Sequence, residues 1–578
     1  VTIAFLILIG MCILGVRESW AAEIAPVRER DPNPATSPRL AVARLTLADP
    51  EATAAAGVTP SEVAEFLAAQ LATVIAENAP RSHGFNAREL DELGQLLNAM
   101  GAGTHALTGG DAAQIGALIE RQRASRGVSV VQLEGIAAAL TEFYRARGLP
   151  LALAYVPAQM VASDEVIFAV ALGNLESIDV QGESHYAQGL LARAFEEQLG
   201  RPVQRAAIES ALYRVNQLPG LETRATFRAG SAAGSSRLEL TALEERRLDG
   251  ELRIDNHGTD ATGNERLVMR GAWFNPSAAG DVLTGELLGA LNPNNTLYGG
   301  LGYERPLGEL ATRVRAQASV DDFNWDAGGV RLDGRATVAA LGMRHEISQS
   351  RRHADGVDAM LTGQKLELAR RSGGRLVDQD LMMLGLGYDT FDRFDAHTLS
   401  TMVRAELDAG RILDGDLAGQ SDTFVRLGVA ASAWRLFDLI GFDAPQRLSA
   451  SVRGQWASTA LPGTLQLALG GPAGVRAFDS GFASVDDGAV ATFALRLRDW
   501  DVSYGDLTLF ADAGYGTQVR GFGDDAWVGL VSVGAGWLVD VSPHWNAELR
   551  GSVPLTAKGS PDVNDQGFNL FWMLRYVP

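Results

Sequence analysis

Cysteine is almost missing from this chain: Cys12 is the only one in 578 residues. It lies in the segment read below as a cleaved leader, so disulfides and thiolate metal sites are excluded from the rest. Met11 is too large for the position before a lipidated cysteine, which argues against a lipoprotein. Long apolar runs are scarce as well. Ile3 to Val16 is the single one, too short and too poorly flanked for a spanning helix, so a helical membrane protein is excluded. Basic charge is in deficit, with Lys and Arg numbering 50 against 70 Asp and Glu, a net charge of -20. Polyanion affinity needs clustered cations, so no nucleic-acid partner is expected. Catalytic motifs are lacking too: there is no Walker loop, no His-Glu-x-x-His and no Gly-x-Ser-x-Gly. Gly230-Ser231-Ala232-Ala233-Gly234 misses the last by one position. No catalytic residue, cofactor or metal site is therefore expected. The acidic pairs Asp321-Asp322 and Asp524-Asp525 are of the kind that binds calcium, but solvated loops are the plainer reading.

What is present is ordered along the chain. After the apolar start, Ser19 and Ala21 supply small residues three and one before a signal-peptidase cut, so residues 1–22 read as a secretory signal, although the usual basic n-region is missing. A buried apolar element is the alternative. Residues 23–38 carry Pro26, Pro32, Pro34 and Pro38 among charges and form an extended linker.

Residues 39–173 read as a small α/β module. Leu40 to Leu47 is compatible with a strand, and Thr59-Pro60-Ser61-Glu62 fits a helix start with Val63, Phe66, Leu67, Leu71 and Ile75 on one face. A second helix begins near Ser129, buries Val130, Leu133, Ile136, Leu140 and Phe143, and stops at Gly148. Strands are expected at Leu151 to Val156 and Glu165 to Leu172. About 79–127 looks like a helical insertion. The order repeats in residues 174–246: strand Leu175 to Val180, helices Tyr186 to Leu199 and Val203 to Leu218, strands Leu221 to Arg228 and Arg237 to Leu243.

From 247 to 578 the texture changes. Segments of about ten residues alternate apolar with polar or small side chains between Gly, Asn, Asp and Pro clusters, the dyad pattern of a transmembrane barrel. Examples are Arg266 to Phe274, Met382 to Tyr388, Thr423 to Ala430, Leu448 to Trp456, Leu507 to Ala513 and Trp527 to Trp537. At roughly twenty residues per strand and turn, about sixteen antiparallel strands fit. Closure is physically required, because backbone amides facing lipid have no water partner. Trp273, Tyr303, Tyr388, Trp537, Trp545 and Trp572 suit interfacial girdles, or lumen filling. A soluble β-sandwich array or propeller is the alternative fold, against which stands the lack of a blade-length repeat.

Two small modules ahead of a barrel resemble the TpsB transporters of two-partner secretion, the ShlB/FhaC/HecB family, and the modules would then be POTRA domains. The resemblance covers most of the chain beyond the leader. It rests on Phe143 through Gln159, on the turn Asn216-Gln217-Leu218-Pro219-Gly220-Leu221, and on Asp255-Asn256-His257-Gly258 with Thr262 to Arg266 at the first hairpin. Its most specific part is Leu461-Pro462 through Leu469-Gly470-Gly471-Pro472-Ala473-Gly474-Val475-Arg476-Ala477-Phe478-Asp479, which is similar to the family's GG-P-x-x-VRGF/Y segment of the long sixth extracellular loop. Ala477 stands where the family has Gly; if the position has positive φ, its Cβ costs about 1 kcal/mol. Ser484-Val485-Asp486-Asp487-Gly488 likewise carries Val-Asp in place of a Gly-Asp pair.

The resemblance implies a loop folded back into the lumen, with Gly470, Gly471, Pro472, Val475, Arg476 and Phe478 forming its motif. Arg476 would meet Asp512 in Phe510-Ala511-Asp512-Ala513-Gly514, so Phe510, Asp512 and Gly514 mark the wall. Strand alternation puts Phe510 and Asp512 on one face, which must be the lumen because a carboxylate in lipid is costly. Without the resemblance, Asp512 would be one lumen polar residue among many. The linker is too short and Pro-rich for the plug helix of related transporters. The implied function is an outer-membrane translocator. It would recognise an unfolded, TpsA-like exoprotein of haemolysin or adhesin type, with an N-terminal secretion domain, through periplasmic POTRA domains, and secrete it without nucleotide hydrolysis; modules that merely space the barrel from the periplasm are the alternative. Outer-membrane lipid is the other partner, and a monomer is expected. A BamA/TamA-type assembly factor is the alternative, disfavoured by the module count, and a passive porin would need neither modules nor loop.

Overall fold

The computed structural model describes residues 39–578 apart from 55, 102–107, 125, 162–163, 183, 260–261, 309, 328, 395–397, 416–420, 443, 502–504, 520–524 and 561–566. The expected signal segment, the linker, any plug helix within them, and Asp524 lie outside the described residues. The chain divides into two compact units, 1–179 with 195–208 and 225–240, and 180–194 with 209–224 and 241–578.

In the first unit the helix Pro60–Asn78 starts on a complete capping box: Thr59 accepts from the Glu62 N–H, and the Glu62 carboxylate accepts from the Thr59 N–H at 3.0 Å. Ser129 and Gln132 do the same for Val130–Ala146. A three-stranded sheet in the order Arg44–Leu47, Glu165–Ala171, Leu153–Tyr155 accompanies these helices, its first pair parallel. The shared core includes fully buried Leu67, Leu140, Tyr144 and Phe168. The expected single strand Leu40 to Leu47 is two: Arg39–Leu40 pairs with Val128–Ser129, and Arg44–Leu47 with Glu165 to Phe168. The short apolar run serves two partners, which periodicity cannot register. Within 79–127 the helices Ala87–Ala99 and Gly109–Ala124 are joined through Glu89, fully buried, which accepts from Arg126 Nε at 2.8 Å and from the Asn86 N–H at 2.9 Å. The Arg126 hydrogen bond holds the Glu89 carboxyl below its ordinary range.

A second three-stranded sheet has the order Asn174–Gln181, Ser235–Glu245, Leu221–Ala229. The expected helix Tyr186 to Leu199 is shorter: an α-helix covers Gln188–Arg193, and a 3-10 turn covers Glu196–Gln198. Its N-cap, Ala187, has no side chain to cap with, and Glu196 and Glu197 oppose the negative end of a continued helix. The Gly230–Gly234 segment is a turn, not a nucleophile elbow. Ser231 donates to Glu176 Oε1 at 2.5 Å, and Ser235 to Oε2 at 2.5 Å.

The second unit contains a closed barrel of sixteen strands. Each strand pairs antiparallel with the next, from Leu248–Asp255 to Asn569–Tyr576, and Met573 to Tyr576 close the ring on Leu252 to Asp255. One step departs from the meander: Gln446–Ala457 pairs with Asp487–Asp501 across a long intervening loop. We call the barrel end where Leu248–Asp255 begins the near end. Several strands far exceed ten residues, and Val330–Gln349 and Arg375–Phe394 each have twenty. At about 3.3 Å per residue these outrun an apolar band of roughly 25 Å. Strands such as Leu399–Asp414 are hard to see in sequence, because Arg404, Glu406 and Asp408 crowd the lumen face while Val403, Ala405 and Leu407 alternate outward.

Outward faces carry exposed leucines such as Leu301, Leu341 and Leu386. The exposed side chains of Trp273, Tyr303, Tyr388, Trp537 and Trp545, and Trp572, which shares the outward face of its partner Leu549, all lie toward the near end. Outward Trp456 and Tyr515 lie toward the far end. Asp321 and Asp322 sit inside the strand Thr312–Ala327, not in a loop, so they point to opposite faces and cannot grip one ion together. Among the described residues no helix is long and apolar enough to cross a membrane.

Candidate functional site

The loop between Ala457 and Asp487 leaves the far end of the wall and turns back inside. Its first part packs by Leu461 into a buried group with Leu381, Phe424 and Ala457. Gln364, on the lumen face of His353–Arg370, donates to Thr464 Oγ1 at 2.8 Å. A two-residue ladder, Leu467–Ala468 with Ser484–Val485, closes the base of the tip.

The tip has a core of its own. Leu469, Val475, Ala477, Phe478 and Val485 are buried with Val490 and Leu530 of the wall, and the Phe478 and Phe482 rings meet at 4.8 Å. Burying one such side chain contributes about 1.5–3 kcal/mol, so apolar packing outweighs any single polar contact in seating the tip. Three glycines make the turn compact. Gly471 has φ +96°, a Cβ on Gly470 would lie 2.5 Å from the Asp479 carbonyl oxygen, and one on Gly474 2.3 Å from that of Leu469. Pro472 follows Gly471 at the turn, and Gly474 N–H donates back to Gly471 O at 2.9 Å. Ala477 is not among the described non-glycine residues with positive φ, which are Asp164, Asn275 and Ala278. The conditional penalty for its Cβ therefore does not arise, and the methyl fills core space instead.

Arg476 reaches Asp512 on the strand Gly505–Gln518. Its Nε donates to Oδ2 at 2.8 Å, its Nη2 to Oδ1 at 2.5 Å and its own backbone N–H to Oδ2 at 3.1 Å. The guanidinium also covers the Phe510 ring, with Cζ 3.5 Å from the centroid. Asp512 is 2 % exposed and Arg476 8 %, so neither charge is shared with bulk water. Such a two-pronged contact is directional as well as strong. Alternation holds as expected: Phe510 and Asp512 are buried, while Leu509 and Tyr515 are exposed on the other face. Gly514 completes the seat, since a Cβ there would lie 2.9 Å from Val475 Cγ2.

All nine expected residues, Gly470, Gly471, Pro472, Val475, Arg476, Phe478, Phe510, Asp512 and Gly514, thus fall in one place. Several others escaped sequence reasoning. Ser532 donates to Asp512 Oδ2 at 3.2 Å, Ser552 donates to the Arg476 carbonyl at 2.8 Å, and Arg453 donates to the Ala473 carbonyl. Asn569 donates to Asp479 at 3.0 Å, and Ser480 to the His257 carbonyl at 2.9 Å. Fully buried Asp486 accepts from Leu461 N–H, Gln466 Nε2 and Val519 N–H at 2.8, 3.0 and 2.8 Å. The signal for Asp486 was the acidic pair ending the loop. The serines gave none, because every lumen-facing serine reads alike. Around the rest of the lumen, charges pair among themselves: Arg344 with Asp389, Arg404 with Asp358 and Glu406, Arg426 with Asp408.

The haemolysin secretion/activation protein ShlB/FhaC/HecB family model matches residues 234–539, and that of the ShlB-type POTRA domain matches 110–173. The heme/hemopexin transporter protein HuxB of Haemophilus influenzae is 23% identical over 479 residues, covering 77% of this chain and 80% of its own. The outer membrane transporter CdiB of Dickeya dadantii is 24% identical over 430 residues, covering 68% and 72%. Among solved structures, CdiB from Escherichia coli superposes with a TM-score of 0.66 at 17% identity, covering 98% of this chain and 93% of its own. CdiB from Acinetobacter baumannii gives 0.63 at 13%, covering 100% and 97%.

Proposed function

The chain belongs to the haemolysin secretion/activation family ShlB/FhaC/HecB, an outer-membrane family that secretes partner proteins, and on that footing we propose that its periplasmic modules capture one unfolded exoprotein and pass it through the barrel. The modules offer edge strands, Leu153–Tyr155 in one sheet and Leu221–Ala229 in the other, to which an extended chain adds by main-chain hydrogen bonds while side-chain pockets give choice. The near end of the barrel then faces the periplasm. The docked loop is the gate: Arg476 and Asp512 anchor it, and its displacement opens the lumen. The observation that most supports a gate is the two-pronged contact of Arg476 with Asp512 on a tip that packs its own small core against the inner wall at Val490 and Leu530.

Folding of the cargo outside supplies the direction of transport, and no nucleotide is hydrolysed. The cargo is of the large adhesin or haemolysin type with an N-terminal secretion segment, in keeping with relatives whose names are those of transporters. Deletion of the gene tests the reading: one large polypeptide should vanish from the medium and return with a plasmid copy, while other outer-membrane proteins stay unchanged. An unchanged medium with depleted outer-membrane barrels would overturn export and point to an assembly role. Arg476→Ala should secrete severely less while still giving a heat-modifiable barrel.

A further inference from the structure

The near mouth of the barrel breaks the rule of paired charges. On Arg375–Phe394 the residues Asp389, Phe391 and Arg393 share the lumen face, opposite exposed Leu386 and Tyr388. Arg393 stands level with Ser400, Trp434 and Ser449 across the next three strands. Arg447 stands level with Arg496, and shares its face with Arg453, which reaches the docked loop. The Phe391 and Trp434 rings lie 5.9 Å apart. The guanidinium of Arg393 is 5.4 Å from the Phe391 centroid, and that of Arg447 is 5.2 Å from the Trp434 centroid.

Arg496 pairs with Asp506. Arg393 and Arg447 form no ion pair with a carboxylate among the described residues, and the Arg447 Nε is buried with no hydrogen-bond partner there. The charged residue level with Arg447 on the adjoining strand is Arg496, of its own sign. Two uncompensated guanidiniums on an aromatic floor stand out in a chain of net charge -20. Flat rings hold a cation by its face and leave its in-plane N–H groups free to donate.

We propose that Phe391, Arg393, Trp434 and Arg447 form a receiving collar for carboxylate-bearing segments of the exported polypeptide as it enters from the periplasm. The inference rests on the export reading and assigns it a first contact inside the barrel. Charge complementarity selects the occupant: an extended chain presents a carboxylate to each guanidinium while its backbone slides over the rings.

The test uses full-length protein in detergent with fluorescein-labelled octaglutamate and octalysine, read by anisotropy, and a photoreactive octaglutamate for location. Octaglutamate should bind, weaken with added salt, and crosslink around Trp434. Arg393→Gln with Arg447→Gln should weaken it about tenfold or more, the scale of losing a charge-assisted contact. Arg447→Lys, which keeps the charge, should retain most of the binding, and its folding is checked by heat modifiability. Equal binding of octalysine, unchanged affinity in the double Gln variant, or competition by citrate as effective as by unlabelled peptide would overturn the collar. None of these measurements requires export. Secretion that depends on the gene, without peptide preference, overturns the collar alone; peptide preference without such secretion overturns the export reading alone.

Discussion

Arg476 lies between two residues of one strand face, its Cζ 3.5 Å from the Phe510 ring centroid and its Nε and Nη2 on the carboxylate of Asp512. Phe510 and Asp512 are two residues apart, so the strand period alone sets ring and carboxylate side by side. Arg476→Lys keeps the charge but loses both the fork and the flat stacking surface. We expect it to loosen the loop nearly as much as Arg476→Ala. Asp512→Ala leaves a buried guanidinium alone and should cost up to about 3–5 kcal/mol of loop docking. Protease cleavage within 469–480 on intact cells measures both, and a double variant no worse than the poorer single one would establish the coupling. Wild-type resistance in Asp512→Ala would remove the anchor role.

Gly514 is constrained by Val475, which a new Cβ would approach to 2.9 Å. Gly514→Val should therefore lift the tip and lower secretion while the barrel stays heat-modifiable. Adding Val475→Ala removes the opposing methyl groups and should restore part of the loss. A double variant as poor as Gly514→Val alone would show that the clash is not the cause.

Asp486 stands at the loop's end and ties it to the loop's start and to the neighbouring wall strand, accepting from Leu461 N–H on one side and from Val519 N–H, just past Gly505–Gln518, on the other. Asp486→Ala orphans both donors at about 1–3 kcal/mol each. The expected readout is a lower temperature for conversion of the folded to the unfolded gel band, with Asp486→Asn intermediate.

Ala477→Gly, the change toward the residue found in related loops, should bring no gain. The position has no positive φ and its methyl is buried, so the glycine costs about 0.5–1 kcal/mol of flexibility plus lost packing. Higher secretion or stability from this variant would contradict the backbone geometry.

Glu176 holds the turn of Ser231 and Ser235, and the hydroxyl of Ser231 foremost, then that of Ser235, lowers its pKa from 4.5 to about 2. A carboxylate whose pKa falls on folding stabilises the folded form fully above its unfolded value. That contribution fades as pH drops from about 4.5 and is gone once pH passes below about 2. Thermal unfolding of wild type and Glu176→Gln should differ at pH 7 and converge in acid; a pH-independent difference would exclude the carboxylate as its source.

Much of this was legible without coordinates. The capping boxes at Thr59 and Ser129 are local chemistry, four residues long; the first was legible in Thr59-Pro60-Ser61-Glu62, and at Ser129 the helix start was. The alternation that put Phe510 and Asp512 on one face is a property of any extended strand. The helix expected through Leu199 failed because helix ends depend on caps and neighbours, and the run Leu40 to Leu47 failed because one short segment pairs with two distant ones.

The sequence by itself determined that the second half alternates with a period of two and lacks the means for a helical span, and hence that it closes on itself: dyad patterning and backbone satisfaction are local demands that any arrangement must meet. Only the tertiary structure decided which lumen side chains meet. Whereas Asp512 among the lumen acids was singled out beforehand by the family resemblance alone, Ser532 and Ser552 among the serines, and Arg393 and Arg447 among the arginines, are told apart by register across several strands and by where the loop comes to rest. Those are sums over contacts far apart in the chain, and no single stretch of sequence contains them.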